Sequence, residues 1–569
     1  MKTTNKKIAE IIAGCVLACY FTTNLQAQLP PGLTNSGSGG TNVYNPYPYF
    51  NPTPVYTYPT NATLKWTLNF DSAVWCQSLT PDGNLIVPDL AYADYKFYSI
   101  NPSLVDTNDS NYPAPDDFTN WLYQSYCYPG IIKPVVTADS NICVGGNFVV
   151  NTDNGATTLY DPNTYIYSNN IGIYDGICGL SVTNASLQWS FVKDSYKLFC
   201  DVCLGNDGTY YTSDGGYVYA LTNAPGETNI IINSEGYHMF LQNIGMRWFY
   251  KDNGWPGGEY VNTFQNSTLV INKNALYVLN AYYGNLYAFN ATNGTLQWYA
   301  PFGSAQYTTP VIGGGGMIYC TGWANLCAIN PNSNATNGVM GFKWTYSDTN
   351  YQYQYYIYSP VIGVDETIYA EYLTHNQGSP YSSHLVAINP STGKSIWNRL
   401  IGTNEVDFRK PGSLAVGSDG EIYLADTDGI LYSFDLNGNM NWSYDTGSGV
   451  PLGSPLIAPD GTLYVSGGSY LYAFQIPTGI ACSPWPEDFR NARRTSATAT
   501  ASTSNPLQTT NGLQITVSSY TNFPACVFSS SDLIHWDNLG QIILFGGSTN
   551  FVDIGYTNYP YRFYRAMPQ

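Results

Sequence analysis

Charge is scarce in this sequence. Asp, Glu, Lys and Arg make up only 11% of the 569 residues, and the 21 basic side chains are outnumbered by 39 acidic ones, for a net charge of −18. Phosphate binding needs concentrated Lys and Arg, so no nucleic-acid partner is expected. Histidine is scarcer still. Only His238, His375, His384 and His535 are present, with no metal-ligand spacing. His238 and His375 fall in segments read as inserted, solvated loops. No Gly-x-Ser-x-Gly elbow, Walker loop or His-Glu-x-x-His occurs. "DTNDSN", from Asp106 to Asn111, alternates oxygen side chains as calcium loops do, yet lacks the glycine and closing glutamate of an EF-hand and reads as a polar surface loop. No catalytic residue, metal ligand or cofactor is assigned. Beyond residue 27 no apolar run is long enough for a transmembrane helix.

Aromatic residues, in contrast, reach 15%, with 52 tyrosines, which favours strands over long helices. Trp66, Trp121, Trp189, Trp248, Trp298, Trp344, Trp397 and Trp442 recur roughly 45 to 70 residues apart, a period close to that of β-propeller blades. Between them the same signals return: a Ser/Thr-Pro and apolar run, a Gly turn, a Tyr-centred run, another turn, then "LYAF" or "LVAI". Residues 454–476 carry three such strands with no Trp strand after them, whereas Leu64-Lys65-Trp66-Thr67-Leu68 is a Trp strand with no three before it. Strand 64–70 is therefore expected to complete the final blade and leave no open sheet edge. The expected fold is all-β: an eight-bladed propeller, or a seven-bladed one if the divergent second unit forms no blade, plus a small C-terminal all-β module.

Residues 1–27 read as a signal peptide, with Lys2, Lys6 and Lys7, an apolar run from Ile8 to Phe21 and a cleavage site at Leu25-Gln26-Ala27. Its loss removes three lysines and one glutamate and takes the net charge from −18 to −20. "VLAC" ending at Cys19 resembles a lipobox, and so, less well, does "IAGC" ending at Cys15. A lipid anchor at Cys19 is thus the rival to a soluble secreted form. The expected location is periplasmic, outer-membrane-associated or extracellular. Residues 28–62, rich in Pro, Asn and Tyr, read as a linker, 63–480 as the propeller, 481–505 as a Trp-Pro segment and linker, and 506–569 as the C-terminal module. Ten of the 12 cysteines lie beyond residue 27, which permits disulfides. Cys320 with Cys327, across a predicted hairpin, and Cys76 with Cys127, at the start of neighbouring blades, are the candidate pairs; small buried thiols are the equal alternative.

The units "GNLYAFNATNGTLQW", "HLVAINPSTGKSIW" and "GILYSFDLNGNMNW" resemble the pyrroloquinoline-quinone-like (PQQ-like) propeller family over about residues 64–476. "WPEDFRNARRTS" resembles the Trp-Pro segment often found beside such repeats. The resemblance implies that the eight tryptophans are structural docking residues between blades. The family includes quinoprotein dehydrogenases, which hold their quinone against a disulfide of adjacent cysteines. No Cys-Cys dipeptide exists here, and Cys200-Asp-Val-Cys203 lacks the histidine of a haem attachment site. "SSSDLIHWDNLG" and "NYPYRFYRAM", within about residues 506–569, resemble a module common at the ends of exported proteins of the Verrucomicrobia type, which implies an accessory or attachment role; Trp536 and Phe563 are read as its core.

Insertions stand out at 101–120, 222–247, 250–262 and 346–357, and in a propeller such insertions collect in loops. The connections entering each innermost strand, with the hairpins between second and third strands, gather on one face. Trp75, Tyr126, Tyr128, Tyr196, Trp255, Tyr260, Tyr307, Trp323, Tyr351, Tyr355 and Phe408 fall in those segments, near Asp71, Asp194, Asp348, Asp407 and Arg409. Rings with hydrogen-bonding neighbours suit protein hot spots or stacking on sugars. The expectation is a non-catalytic binding or scaffold protein with a protein or polysaccharide partner at Trp255, Tyr260, Trp323, Tyr351 and Tyr355; the alternative is a quinone-dependent dehydrogenase.

Overall fold

The computed structural model describes residues 62–568 apart from internal gaps, the longer ones at 106–114, 126–132, 160–170, 195–198, 233–237, 252–266, 302–307, 349–352, 376–380, 406–412, 480–486, 488–496, 519–523, 532–536, 544–547 and 557–561. The chain divides into two compact units, one of residues 58–363 with 368–498, the other containing 499–569.

The first unit is a ring of eight antiparallel blades. Blade four shows the pattern in its strands Ser267–Asn272, Ala275–Asn280, Asn285–Asn290 and Leu296–Pro301, paired in chain order. Its innermost strand is buried along nearly its whole length and its outermost strand alternates. The reason is geometric: both faces of an inner strand lie against neighbouring blades, so both must be apolar. Leu269, Ile271, Leu276, Val278 and Phe289 accordingly share a core with Tyr211, Val218 and Trp248 of blade three.

The repeat owes its spacing to a contact between consecutive blades. In blades four to six the outer-strand tryptophan packs beside a tyrosine of its own second strand, Trp298 with Tyr277 at 5.8 Å, Trp344 with Tyr319 at 5.8 Å and Trp397 with Tyr369 at 5.9 Å. The indole Nε1 of three of the outer-strand tryptophans donates to the turn between the third and fourth strands of the following blade: Trp248 to Ala291 O at 2.8 Å, Trp344 to Pro390 O at 2.8 Å and Trp397 to Leu436 O at 2.8 Å. The glycine of that turn has positive φ and lies under the ring. A Cβ on Gly294 (φ 72°) would come within 2.5 Å of Trp248, and one on Gly393 (φ 68°) within 2.5 Å of Trp344. Only glycine meets both demands.

Ring closure follows the sequence expectation. Thr63–Asn69 pairs antiparallel with Tyr470–Gln475, so blade eight takes its fourth strand from the beginning of the propeller. Lys65 Nζ donates to Thr462 Oγ1 at 3.0 Å, and Trp66 lies 5.7 Å from Tyr464. This seam has a consequence one blade earlier. With third and fourth strands drawn from opposite ends, blade eight has no continuous turn to receive Trp442. The Trp442 indole donates instead to Glu421 Oε1 of its own blade at 3.1 Å. Burial raises the Glu421 carboxyl above the usual range, while donation from Ser433, Tyr423 and Asn441 works against that rise.

Blade two does form, which fixes the count at eight, and it is wider than its neighbours. The insertion at 222–247, expected as a loop, is a two-stranded ribbon inside the strands Tyr217–Ile232 and His238–Lys251. Residues 217–223 pair with 244–251 within blade three. Residues 238–242 then run along the outer strand of blade two, matching Met239 with Lys193 and Gln242 with Ser190, and 228–232 pair outside them. Two extra strands thus extend blade two. The continuous apolar runs in "NIII" and "HMFLQ" are the local reason, since Met239, Phe240 and Leu241 are all buried there.

Glu487 lies against the innermost strands of blades seven and eight. Glu487 bridges to Ala415 of the innermost strand of blade seven and its Oε2 accepts from Ile457 N of blade eight at 3.2 Å. Ala497 and Thr498 pair in parallel with Ile271 and Asn272 of blade four.

The second unit contains two three-stranded sheets, one of Ser502–Thr509, Gly512–Ser518 and Ser548–Asp553, the other of Asp537–Ile543, Pro524–Ser530 and Phe563–Pro568. Arg562 pairs with Asp553 at 3.0 Å, and Tyr564 donates to the same carboxylate at 2.6 Å, joining groups from different sheets. Phe563 is half-buried in its strand, and Trp536 lies outside the described residues.

Candidate binding surface

The structure brings part of the expected surface into view. Trp255, Tyr260, Trp323 and Tyr351 lie outside the described residues, as do Trp75, Tyr126, Tyr128, Tyr196, Tyr307, Phe408, Asp407, Arg409 and the 106–111 segment. Tyr355 is described in its backbone. It belongs to a short strand, Tyr353–Tyr355, that pairs with Leu373–His375 at the upper end of blade six, so this insertion, expected as a loop, is anchored in the ladder.

Beside that strand is a polar cluster built across blades five and six. Asp348 follows the outer strand of blade five, and its Oδ2 accepts from Tyr372 at 2.8 Å and from Asn398 at 3.1 Å. Tyr372 is fully buried and stacks on His384 at 5.1 Å. His384 Nε2 lies 3.1 Å from Thr374 Oγ1, and burial lowers its affinity for a proton. Burial and the nearby Tyr346 and Asp348 push the Tyr372 hydroxyl well above its ordinary value. The cluster therefore holds a neutral imidazole and a protonated phenol around one carboxylate, an arrangement that fixes the Asp348 segment in place.

The other named aspartates have similar roles. Asp71 pairs with Lys96 at 2.8 Å on the surface. Asp194 accepts from the His238 backbone at 2.6 Å and lies 2.8 Å from its Nδ1. His238 and His375, expected in loops, both lie in strands, because the segments that carry them extend sheets. Between blades two and three Lys193 forms a buried pair with Asp214 at 2.6 Å, joined by Tyr219, a contact the sequence did not announce. Among the described residues no group of His, Cys, Asp or Glu could hold a metal ion.

Trp66, Trp121, Trp189, Trp248 and Trp442 lie in cores shared by neighbouring blades, and Trp344 and Trp397 donate across a blade contact. Trp66, Trp121, Trp189, Trp248, Trp298 and Trp442 are buried, and Trp344 and Trp397 are partly so. The Trp121 indole donates to Val182 O of blade two at 2.7 Å.

Of the two alternatives left open for Cys320 and Cys327, the structure shows the buried thiols. Cys320 and Cys327 are direct cross-strand partners in blade five, yet both are free, buried thiols, and the Cys327 thiol donates to Asn325 Oδ1 at 3.1 Å. Burial raises both thiols, which suits small core residues better than redox-active ones. Cys76 and Cys127 lie outside the described residues. The described disulfide cysteine is Cys526, in the second unit, which sequence spacing did not single out.

Residues 258–409, the span of blades four to six, match the family model described as outer membrane protein assembly factor BamB. No curated protein matches the chain. Among solved structures, BamB from Moraxella catarrhalis is similar at 12% identity over 73% of this chain and 100% of that one, with a TM-score of 0.39. The Dos1 propeller is similar at 10% identity over 74% of this chain and 97% of that one, with a TM-score of 0.44. A quinohemoprotein alcohol dehydrogenase from Pseudomonas putida HK5 is similar at 11% identity over 79% of each chain, with a TM-score of 0.38. From the strand pairing above the chain is a β-propeller, and its residues 258–409 match a PQQ-like repeat model.

Proposed function

We propose that this is an exported, non-catalytic binding or scaffold propeller of the bacterial envelope or exterior, with a protein or polysaccharide partner held on the face of the entering segments. The observation that carries the reading is the strand Tyr353–Tyr355: an aromatic insertion fixed by backbone pairing beside the anchored Asp348. A rigid ring that presents aromatic residues on one face limits the entropy lost on binding. The match of blades four to six to a family described as an outer membrane assembly factor supports a protein partner and an envelope location. The described acid, base and phenol groups beside that strand are taken up by blade-to-blade bonding, which favours binding over chemistry. The second unit serves as the accessory or attachment module that its resemblance implies, and Cys19 is the candidate lipid anchor.

The partner site centres on Trp255, Tyr260, Trp323, Tyr351 and Tyr355. Retention on a panel of polysaccharides and envelope proteins tests it, with Trp255→Ala, Trp323→Ala and Tyr355→Ala measured beside the parent. Weakening by about 1 to 3 kcal/mol each with unchanged melting supports the site. Large stability losses for all three would show core rings, and unchanged retention would move the site elsewhere.

A further inference from the structure

The ribbon on blade two ends in a strand whose outer edge pairs with no other strand among the described residues. Its pairing is readable from one hydrogen bond: His238 O accepts from Asp194 N at 3.1 Å, so His238 turns its backbone toward blade two. Backbone direction alternates along a strand, so Met239 and Leu241 turn the other way and meet Ile231 and Asn229, their register partners. The N–H and C=O groups of Thr228, Ile230 and Ile232 must then point away from the sheet. Thr228 is exposed, Ile230 is 37% exposed and Ile232 62% exposed. Within the edge itself the sequence devices that commonly protect one are missing, although the turn at Gly155 packs against the Thr228 and Ile230 side chains. Thr228-Asn229-Ile230-Ile231-Ile232 contains no proline, lysine or other charge and no bulge. This in a chain otherwise careful with its edges: the ring itself is closed by strand exchange.

We propose that Thr228–Ile232 is a docking edge for an extended segment of a partner polypeptide, which adds as a further strand to blade two. Six outward backbone groups over five residues match the hydrogen-bonding period of a β-strand, and only another main chain satisfies them in register. Ile230 and Ile232, on one side of the edge, select apolar residues at alternate positions of the incoming strand. The proposal rests on the binding reading above, specifies a polypeptide partner, and occupies a surface separate from the aromatic site.

The test uses the full exported chain and a synthetic peptide of alternating Val and Thr flanked by lysines, with a copy N-methylated at alternate residues. Hydrogen exchange is followed by mass spectrometry over residues 224–242. The plain peptide is expected to slow exchange in this segment, the N-methylated one to leave it unchanged, and Ile232→Pro to weaken the effect about tenfold, because proline removes an outward donor that the ribbon does not use. Ile231→Pro removes an inward donor and should open the ribbon itself, which separates loss of docking from loss of fold. Equal protection by both peptides, or no protection at saturation, would overturn the proposal. Protection that rises with protein concentration alone would identify a second copy as the occupant and overturn it as stated. Failure here with the aromatic substitutions still weakening retention would remove the edge and leave the aromatic site standing.

Discussion

Asn243 Oδ1 accepts the backbone N–H of Gly226 at 2.9 Å, and both residues have positive φ, 56° for Asn243 and 80° for Gly226. They stand on the two strands of one ribbon at the point where it leaves blade three for blade two. Asn243 also donates to Gln188 O of blade two at 2.8 Å, so one side chain bends the ribbon and fixes it to its new neighbour. Glycine and asparagine are the residues that occupy this backbone region at least cost.

Substitution at this bend should act locally. Asn243→Ala loses two hydrogen bonds and a favourable left-handed residue, about 1 to 3 kcal/mol for the ribbon, and Gly226→Ala costs about 1 kcal/mol by strain, since no atom lies within reach of the added methyl. Exchange over 224–242 should accelerate while the main unfolding transition of the ring moves little. Equal loss throughout the ring would show the ribbon to be part of its cooperative core.

The blade contact makes a paired prediction. Gly294→Ala and Gly393→Ala add strain and a collision with the preceding tryptophan ring, and should destabilise by about 2 to 4 kcal/mol. Gly338→Ala and Gly447→Ala, at φ 78° and 67° with open space around them, should cost only about 1 kcal/mol. Denaturant titration of the four variants separates the ring contact from the backbone term.

These contacts explain how far the sequence could be read. Trp, Tyr and Gly recur because one docking geometry recurs, so the blades and the exchanged strand 63–69 were legible from spacing alone. The ribbon was not. Its residues follow strand alternation, but they replace what would otherwise be a short turn, and the bend at Gly226 and Asn243 has no counterpart in the other repeats. The Lys193–Asp214 pair was equally hidden, because two residues 21 positions apart meet only when blades two and three stack. Cys320 and Cys327 were legible as cross-strand partners, and of the two states left open for them the buried thiol is the one found, since direct opposition does not by itself make a disulfide. The proposed aromatic site rests on composition in the entering segments, and of its five residues Tyr355 has a described backbone position.

Removal of the closing strand should abolish cooperative folding. Deletion of residues 60–70 exposes the edge of Tyr470–Gln475, and Trp66→Ala alone should cost about 3 to 5 kcal/mol. An undiminished melting transition in the deletion would contradict closure by this strand.

The seam also predicts a pH effect. Because the folded protein holds Glu421 above the usual carboxylate range, the folded state binds this proton more tightly than the unfolded chain does. The contribution of Glu421 to stability is then greatest below the unfolded value of about 4.3 and declines as pH rises toward the folded one. Glu421→Gln keeps an acceptor for Trp442 and should remove that decline, so the difference between variant and parent should grow in favour of the variant across this window. A difference independent of pH would mean that Glu421 titrates alike in both states.

Whether the propeller binds or catalyses is decided most directly by absorption spectroscopy of the purified protein, alone and after addition of pyrroloquinoline quinone with calcium, followed by dye-linked oxidation of alcohols and sugars. The binding reading predicts no stoichiometric quinone complex and no dye reduction above the protein-free rate. A stoichiometric complex that oxidises an alcohol or sugar would contradict it and make the dehydrogenase the correct account.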